Sequence, residues 1–219
     1  MCFYFRQSKE ALAVANRFKV KFKERDSLSS SQTINGFSHP KCAVIIDRDP
    51  SEINFYNWGL IPAGSDESIQ KYTLNARIET LEQKWSYKSV INNRCLVIAD
   101  GFYEWKDRIA NGRNYKDRYL ITLEDDNLFA FAGLYTSWIK MNGAVSYDSF
   151  TILTTQANDV VAQIHSKKRM PVILSRDDEL RWLNGLPYKE VEYPYSVNLK
   201  ARPSIEVRNI KEELFGSSL

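Results

Sequence analysis

Residues 94–106 read RCLVIADGFYEWK. CLVIA, residues 95–99, is an unbroken apolar run of strand length and reads as an apolar strand. Asp100-Gly101 then interrupts the run, as turn residues do. GFYEW resumes in extended fashion with a carboxylate set between aromatics. Successive side chains of a strand point to opposite faces, so Glu104 stands opposite Tyr103 and Trp105. Two strands with only a turn signal between them argue for antiparallel β architecture rather than a βαβ unit.

The flanking sequence repeats this grammar. Downstream, Asn111-Gly112 marks a turn, and RYLITLEDDNLFAFAGLYTSW (118–138) reads as two strands joined at Glu124–Asn127. SFTILTTQAN is a further strand, DVVAQIH a short amphipathic segment and RMPVIL a strand. SRDDELRWLNG is a helix with Ser175 as N-cap, Asp178 at the third helical position and Gly185 near its end. SIEVRNI is a last candidate strand, followed by a frayed GSSL. Upstream, EQKWSYKSVINN reads as helical, INFYNWGLIP as a strand that stops at Pro62, and CAVII as a buried strand. DSLSSSQTINGFSHP is loop-like, and Lys9 to Phe22 reads as a first helix. Strands outnumber helices without alternating with them, and no linker divides the chain. The expectation is one α+β domain over residues 1–219, mainly antiparallel.

Composition bounds the function. The chain has 219 residues, 43% hydrophobic and 26% charged, ordinary values for a globular protein. A net charge of +3 permits a nucleic-acid partner without implying one. No leader pattern precedes the three cysteines, and no apolar run approaches the roughly 18 residues that span a bilayer. A cytoplasmic protein without disulfides, and without membrane partners, is expected. Only His39 and His165 are present, and no CxxC or HExxH spacing occurs, so neither a metal site nor a cofactor is expected.

The start, MCFYF, places Cys2 directly after Met1. Either Cys2 is a small core hydrophobe, as expected for Cys42 and Cys95, or it is a reagent. Once Met1 is removed, Cys2 carries an α-amine of pKa near 7.7–8.0 beside a thiol near 8.5. The amine forms an imine with an aldehyde, and the adjacent thiol closes a thiazolidine at high effective concentration. Alternatively the thiolate attacks an amide, as in N-terminal-nucleophile hydrolases. Three further stretches carry candidates. LNARIET holds Asn75, Arg77 and Glu79, the last read as a solvated side chain. ADGFYEW holds Glu104, whose pKa rises if it faces a pocket. IHSKKRMP holds His165, structural or catalytic, and Arg169.

Taken in order behind MC, the segments WGLIP, LNARIET, CLVIADGFYEW, FAGLYTSW and FTILTTQAN…IH…RMPVIL resemble the SOS response-associated peptidase (SRAP) family, which includes abasic-site processing proteins. The resemblance runs from Met1 to about Leu186. It implies a barrel-like antiparallel core and a positively charged groove for single-stranded DNA. It implies that Cys2 crosslinks to the ring-opened aldehyde of an abasic site, with Asn75 orienting the amine or the sugar. Glu104 is then the general acid/base, and His165 acts at the sugar and its phosphate. Arg77 and Arg169 become phosphate contacts, and Trp58 and Trp105 fill or flank the gap left by the missing base, with core packing the alternative for Trp58. A monomer acting on abasic single-stranded DNA is implied, with peptidase (hydrolase) and lyase activities as further implications.

The chain departs from the family pattern where Phe3 and Tyr4 replace the small residue and arginine of MCGRF. It departs again where the loop between His165 and Arg169 is two residues longer than IHDRMP, and where Asn57 stands for an arginine. Two rivals remain: a thiol peptidase removing its own leading residue, and a non-covalent DNA-binding module with a structural cysteine.

Overall fold

A computed structural model of the chain describes residues 2–22, 31–139 and 146–204. The strands are β1 (Tyr4–Gln7), β2 (Ser31–Asn35), β3 (Lys41–Ile46), β4 (Asp49–Trp58), β5 (Asn75–Arg77), β6 (Arg94–Ala99), β7 (Gly101–Ala110), β8 (Arg113–Leu123), β9 (Phe129–Ile139), β10 (Ser146–Gln156), β11 (Arg169–Pro171) and β12 (Leu199–Pro203). The helices are α1 (Ala11–Phe18), α2 (Trp85–Lys88), α3 (Asp159–Ala162) and α4 (Arg176–Leu183). One sheet runs β12-β8-β7-β1-β2. The other runs β11-β10-β4-β3-β6-β9, and β9 pairs again with β10, so this sheet closes on itself as a small barrel. Pairing is antiparallel except where β10 meets β4 and β5. The α+β, mainly antiparallel and barrel-like expectation is met.

Alternation along the strands sorts the core into two layers. From β6, Cys95, Val97 and Ala99 face one layer, shared with Phe5, Phe102 and Ile121 of the other sheet. Leu96 and Ile98 face the opposite layer, which Val14 of α1 and Trp182 of α4 cover. Burial on both faces explains why CLVIA is apolar without alternation.

Consecutive strands β6 and β7 do not form a hairpin. They lie in different sheets, and Asp100 is the corner between them. Asp100 is fully buried, and its carboxylate accepts hydrogen bonds from the Ser8 backbone N–H at 2.9 Å and the Ser8 hydroxyl at 2.5 Å. The Arg6 guanidinium pairs with it at 3.1 Å and also donates to the Asp100 carbonyl at 3.0 Å. A buried carboxylate stays only where such partners replace water. Asp100 thereby ties β1 to the sheet corner. The strands β8 and β9, joined through Glu124–Asn127, likewise belong to different sheets. The β7–β8 connection is a true hairpin. Asn111 and Gly112 have φ of 50° and 71°, the two positive values a type I′ turn requires.

Several expectations are corrected. The first helix covers only Ala11–Phe18, because Lys19 turns left-handed at φ 56° and Lys21 then bridges to Glu52 as extended chain. Of EQKWSYKSVINN only Trp85–Lys88 is α-helical. The Ser-rich stretch expected as loop contains strand β2, whose pairing with β1 outweighs its polar composition. Ser175 does cap α4, accepting from the Asp178 N–H. SIEVRNI falls, beyond Ser204, outside the described residues.

Of the two readings of Trp58, core packing holds and the base-stacking one is corrected. Trp58 is fully buried, lies parallel to Phe150 at 6.3 Å, meets Phe5 edge-on at 5.1 Å and donates its indole N–H to the Leu74 carbonyl at 2.8 Å. No face is left for a DNA base. Trp58→Ala is expected to lower the unfolding free energy by about 3–5 kcal/mol in urea titrations. A loss under about 1 kcal/mol contradicts this placement.

Candidate active site

The site begins with β1, held between β7 and β2 in the register Tyr4↔Tyr103 and Tyr4↔Asn35. The ladder extends past the strand end, since the Gly36 N–H donates to the Phe3 carbonyl at 2.9 Å. The chain start is thereby delivered alongside Glu104. The Asn75 side chain, at the head of β5, donates to the Cys2 carbonyl at 2.8 Å. Asn75 is itself fixed through its backbone carbonyl, which accepts from the Tyr87 hydroxyl at 3.2 Å.

Cys2 is buried, and its Sγ–H is directed to the Tyr4 carbonyl at 3.4 Å. Burial, reinforced by the adjacent Glu104 carboxyl, pushes the thiol well above its ordinary range. Glu104 shares the inner face of β7 with Phe102, opposite Tyr103 and Trp105, as alternation required. It is 3% exposed, and burial raises its pKa to about 8. Its Oε2 lies 3.6 Å from Nε2 of His165. The Arg169 backbone N–H donates to Nδ1 of His165 at 3.2 Å. A neutral His165 therefore carries its proton on Nε2, the nitrogen facing Glu104. Burial, helped by the positive charges of Lys167 and Arg169, lowers the imidazole pKa to about 4. Near neutrality the pair is thus a carboxylic acid beside an uncharged imidazole.

Glu104 and His165 open onto a cleft of about 350 Å³, whose walls include Phe3, Tyr4 and Trp105 and whose rim carries Lys116 and Lys167. Trp105 packs edge-on against Tyr4 at 5.0 Å, and Phe3 lies 4.9 Å from the half-exposed ring of Phe37. The bulky start MCFYF therefore gives the cleft an aromatic wall. Asn75, Cys2, Glu104, His165 and Trp105 come together, whereas Trp58 does not. Arg77 is exposed on β5. The Arg169 guanidinium is turned onto Glu79, in a two-pronged ion pair, and onto the Thr154 carbonyl at 2.7 Å. Glu79 is therefore not the freely solvated side chain expected from its sequence context. Sequence reasoning missed Lys116 and Lys167. The hairpin register from Asn111-Gly112 was the one available signal for Lys116. Among the described residues no cluster of three or more His, Cys, Asp or Glu side chains could hold a metal ion.

A barrel-cored α+β domain that sets a cysteine at its second residue beside a carboxyl–imidazole pair defines a class of protein, and comparison with known proteins gives the class a family. The model of the family SOS response associated peptidase (SRAP) matches residues 1–214, and the chain belongs to that family. It is 43% identical over 143 residues to the abasic site processing protein YoqW of Bacillus subtilis, a match covering 64% of this chain and 61% of that one. It is 31% identical over 160 residues to the abasic site processing protein HMCES of Xenopus tropicalis, covering 63% of this chain and 47% of the relative. The chain thus spans about three-fifths or less of these relatives. A solved structure of a Bacteroides thetaiotaomicron protein superimposes with a TM-score of 0.82 at 30% identity, covering 96% of this chain and 94% of the other.

The raised pKa of Glu104 has a consequence for stability. The folded state binds this proton more tightly than the unfolded chain, whose carboxyl titrates near 4.5. The contribution is complete below that value and is lost as pH rises through about 8. Glu104→Gln removes it. Urea titrations across this range are expected to show wild type losing stability relative to the variant, with the gap levelling off above pH 8. Parallel curves contradict the assignment.

Proposed function

We propose that this protein processes abasic sites in single-stranded DNA by forming a covalent adduct through Cys2. Membership of the family, and relatives that are abasic site processing proteins, support the substrate. The observation that carries the chemistry is the grip of Asn75 on the Cys2 carbonyl, which sets the chain start beside the Glu104–His165 pair at the cleft.

The closed abasic sugar is a hemiacetal and must open before its aldehyde can react. Glu104, protonated near neutrality, gives its proton to the ring oxygen and takes up the proton of the anomeric hydroxyl, so that the aldehyde forms and the carboxyl is protonated again, with Nε2 of His165 3.6 Å away. With Met1 removed, the Cys2 amine adds to the aldehyde carbon. Glu104 protonates the resulting hydroxyl, which leaves as water, and its carboxylate takes the proton from the nitrogen, so that a neutral imine remains and the acid is restored. The thiol then adds across the imine, its sulfur to carbon and its proton to nitrogen, closing the thiazolidine. The overall change is aldehyde plus aminothiol giving ring plus one water. Burial keeps the thiol neutral, which disfavours the thiolate attack on an amide that a peptidase needs. Lys116, Lys167 and Arg77 supply the phosphate contacts, and Trp105 stacks on a neighbouring base. Peptidase activity is a rival use of the same cysteine. A lyase activity would begin from the imine.

Incubation with abasic single-stranded DNA is expected to give a slow-migrating band that survives denaturation. Cys2→Ala abolishes it, and crosslinking by Cys2→Ala at the wild-type rate overturns the proposal. The rate is expected to rise with pH as the α-amine deprotonates near 7.7–8.0. It should fall again above about 8, where Glu104 loses its proton. Glu104→Gln is expected to be slower and to lack the alkaline fall.

A further inference from the structure

Beyond the cleft, β7 and β8 continue as a two-stranded ribbon. Strand β1 pairs with β7 only through residues 101–103, and β12 pairs with β8 only through residues 119–123. Among the described residues, positions 106–117 pair only with each other, from Lys106↔Asp117 to Ala110↔Arg113. The ribbon projects about 17 Å from the sheet, at about 3.4 Å per residue.

Its composition is unlike that of the rest of the chain. Residues 106–118 carry five Lys or Arg against Asp107 and Asp117, a net +3. That equals the net charge of all 219 residues, so the remainder sums to zero. Arg108 pairs with Asp117 at 2.6 Å and Lys116 with Asp107 at 3.7 Å, while Lys106 and Arg113 have no acidic partner among the described residues. All are exposed except the half-buried Asp117 and Arg118. Exposed ion pairs contribute little to stability, and a free-standing ribbon buries almost no apolar surface. Folding therefore does not explain the excess charge. Position suggests its use: Lys116 belongs to the ribbon and also to the rim of the cleft.

We infer that the β7–β8 ribbon is a second nucleic-acid site, gripping the phosphate backbone that leaves the cleft beside the lesion. The inference rests on reading the cleft as the lesion site. The ligand is polyanionic backbone, supplied either by continuing single strand or by a flanking duplex, whose major groove admits a two-stranded ribbon. The cations line up along a contact of several phosphates, at about 3.4 Å of helix axis per phosphate of one strand.

The test compares wild type with a Lys106→Gln/Arg113→Gln double variant, both positions lying outside the cleft. The probes carry a tetrahydrofuran abasic analogue, which has no aldehyde, so that equilibrium binding is measured against salt. One probe has two nucleotides on each side of the analogue, a second is extended as single strand, and a third is extended as duplex. On at least one extended probe the variant is expected to lose two contacts from the log–log salt slope, about 1.4 at about 0.7 each for single strand or about 1.8 at about 0.9 each for duplex. The minimal probe should be bound equally, and crosslinking of a minimal reactive substrate should proceed at the wild-type rate. The extended probe that shows the loss identifies the source of the backbone. Unchanged slopes on both extended probes overturn the inference. If wild type binds with a ribbon-dependent slope yet never crosslinks, the lesion-site reading fails while the ribbon remains a DNA contact.

Discussion

The structure depends on one buried carboxylate. Asp100 sits at the corner where the chain leaves one sheet for the other, and it spends its lone pairs on Ser8 and Arg6 of the first strand and its connection. Strand β1 has only four residues, too few to order a chain terminus by pairing alone. The Asp100 contacts, with Phe5 inserted between Trp58 and Phe131, fix it in place. Everything proposed for Cys2 follows from that anchoring, because an amine and thiol on a loose terminus would have no defined relation to Glu104.

The electrostatics of the site follow from where β7 runs. The strand starts in the core and ends in solvent, so its inner face passes from Phe102 to Glu104 at the boundary. Burial keeps Glu104 protonated near neutrality and keeps His165 uncharged. In a conventional ion pair Glu104 would have no proton to give, and an imidazolium Nδ1–H would face the Arg169 backbone N–H. The Arg169 backbone, rather than its guanidinium, sets the Nε2–H tautomer. This leaves the guanidinium free to tie Glu79 and Thr154 together beneath the loop.

Much of this was legible in the sequence. The apolar strand CLVIA, the alternation that turns Glu104 away from Tyr103 and Trp105, the turn at Asn111-Gly112 and the Ser175 cap are local signals, and each holds. What failed was non-local. Asp100-Gly101 has the composition of a hairpin turn, and only the partners of β6 and β7 reveal that it joins two sheets. Ser31–Asn35 is polar, and becomes a strand because β1 has an open edge. Trp58 carries the same residue type as Trp105, yet the packing of Phe5 and Phe150 makes it core. Arg169 and Glu79 are 90 residues apart, beyond any spacing rule.

The central claim is that the reacting group is the aminothiol of a chain that starts at Cys2. The intact mass of the purified adduct with abasic single-stranded DNA, after borohydride treatment, tests it most directly. The account predicts the mass of the Met1-free protein plus the aldehyde strand less one water, without the two-hydrogen gain of a reduced imine, because a closed thiazolidine resists hydride. An adduct that still contains Met1 would contradict it.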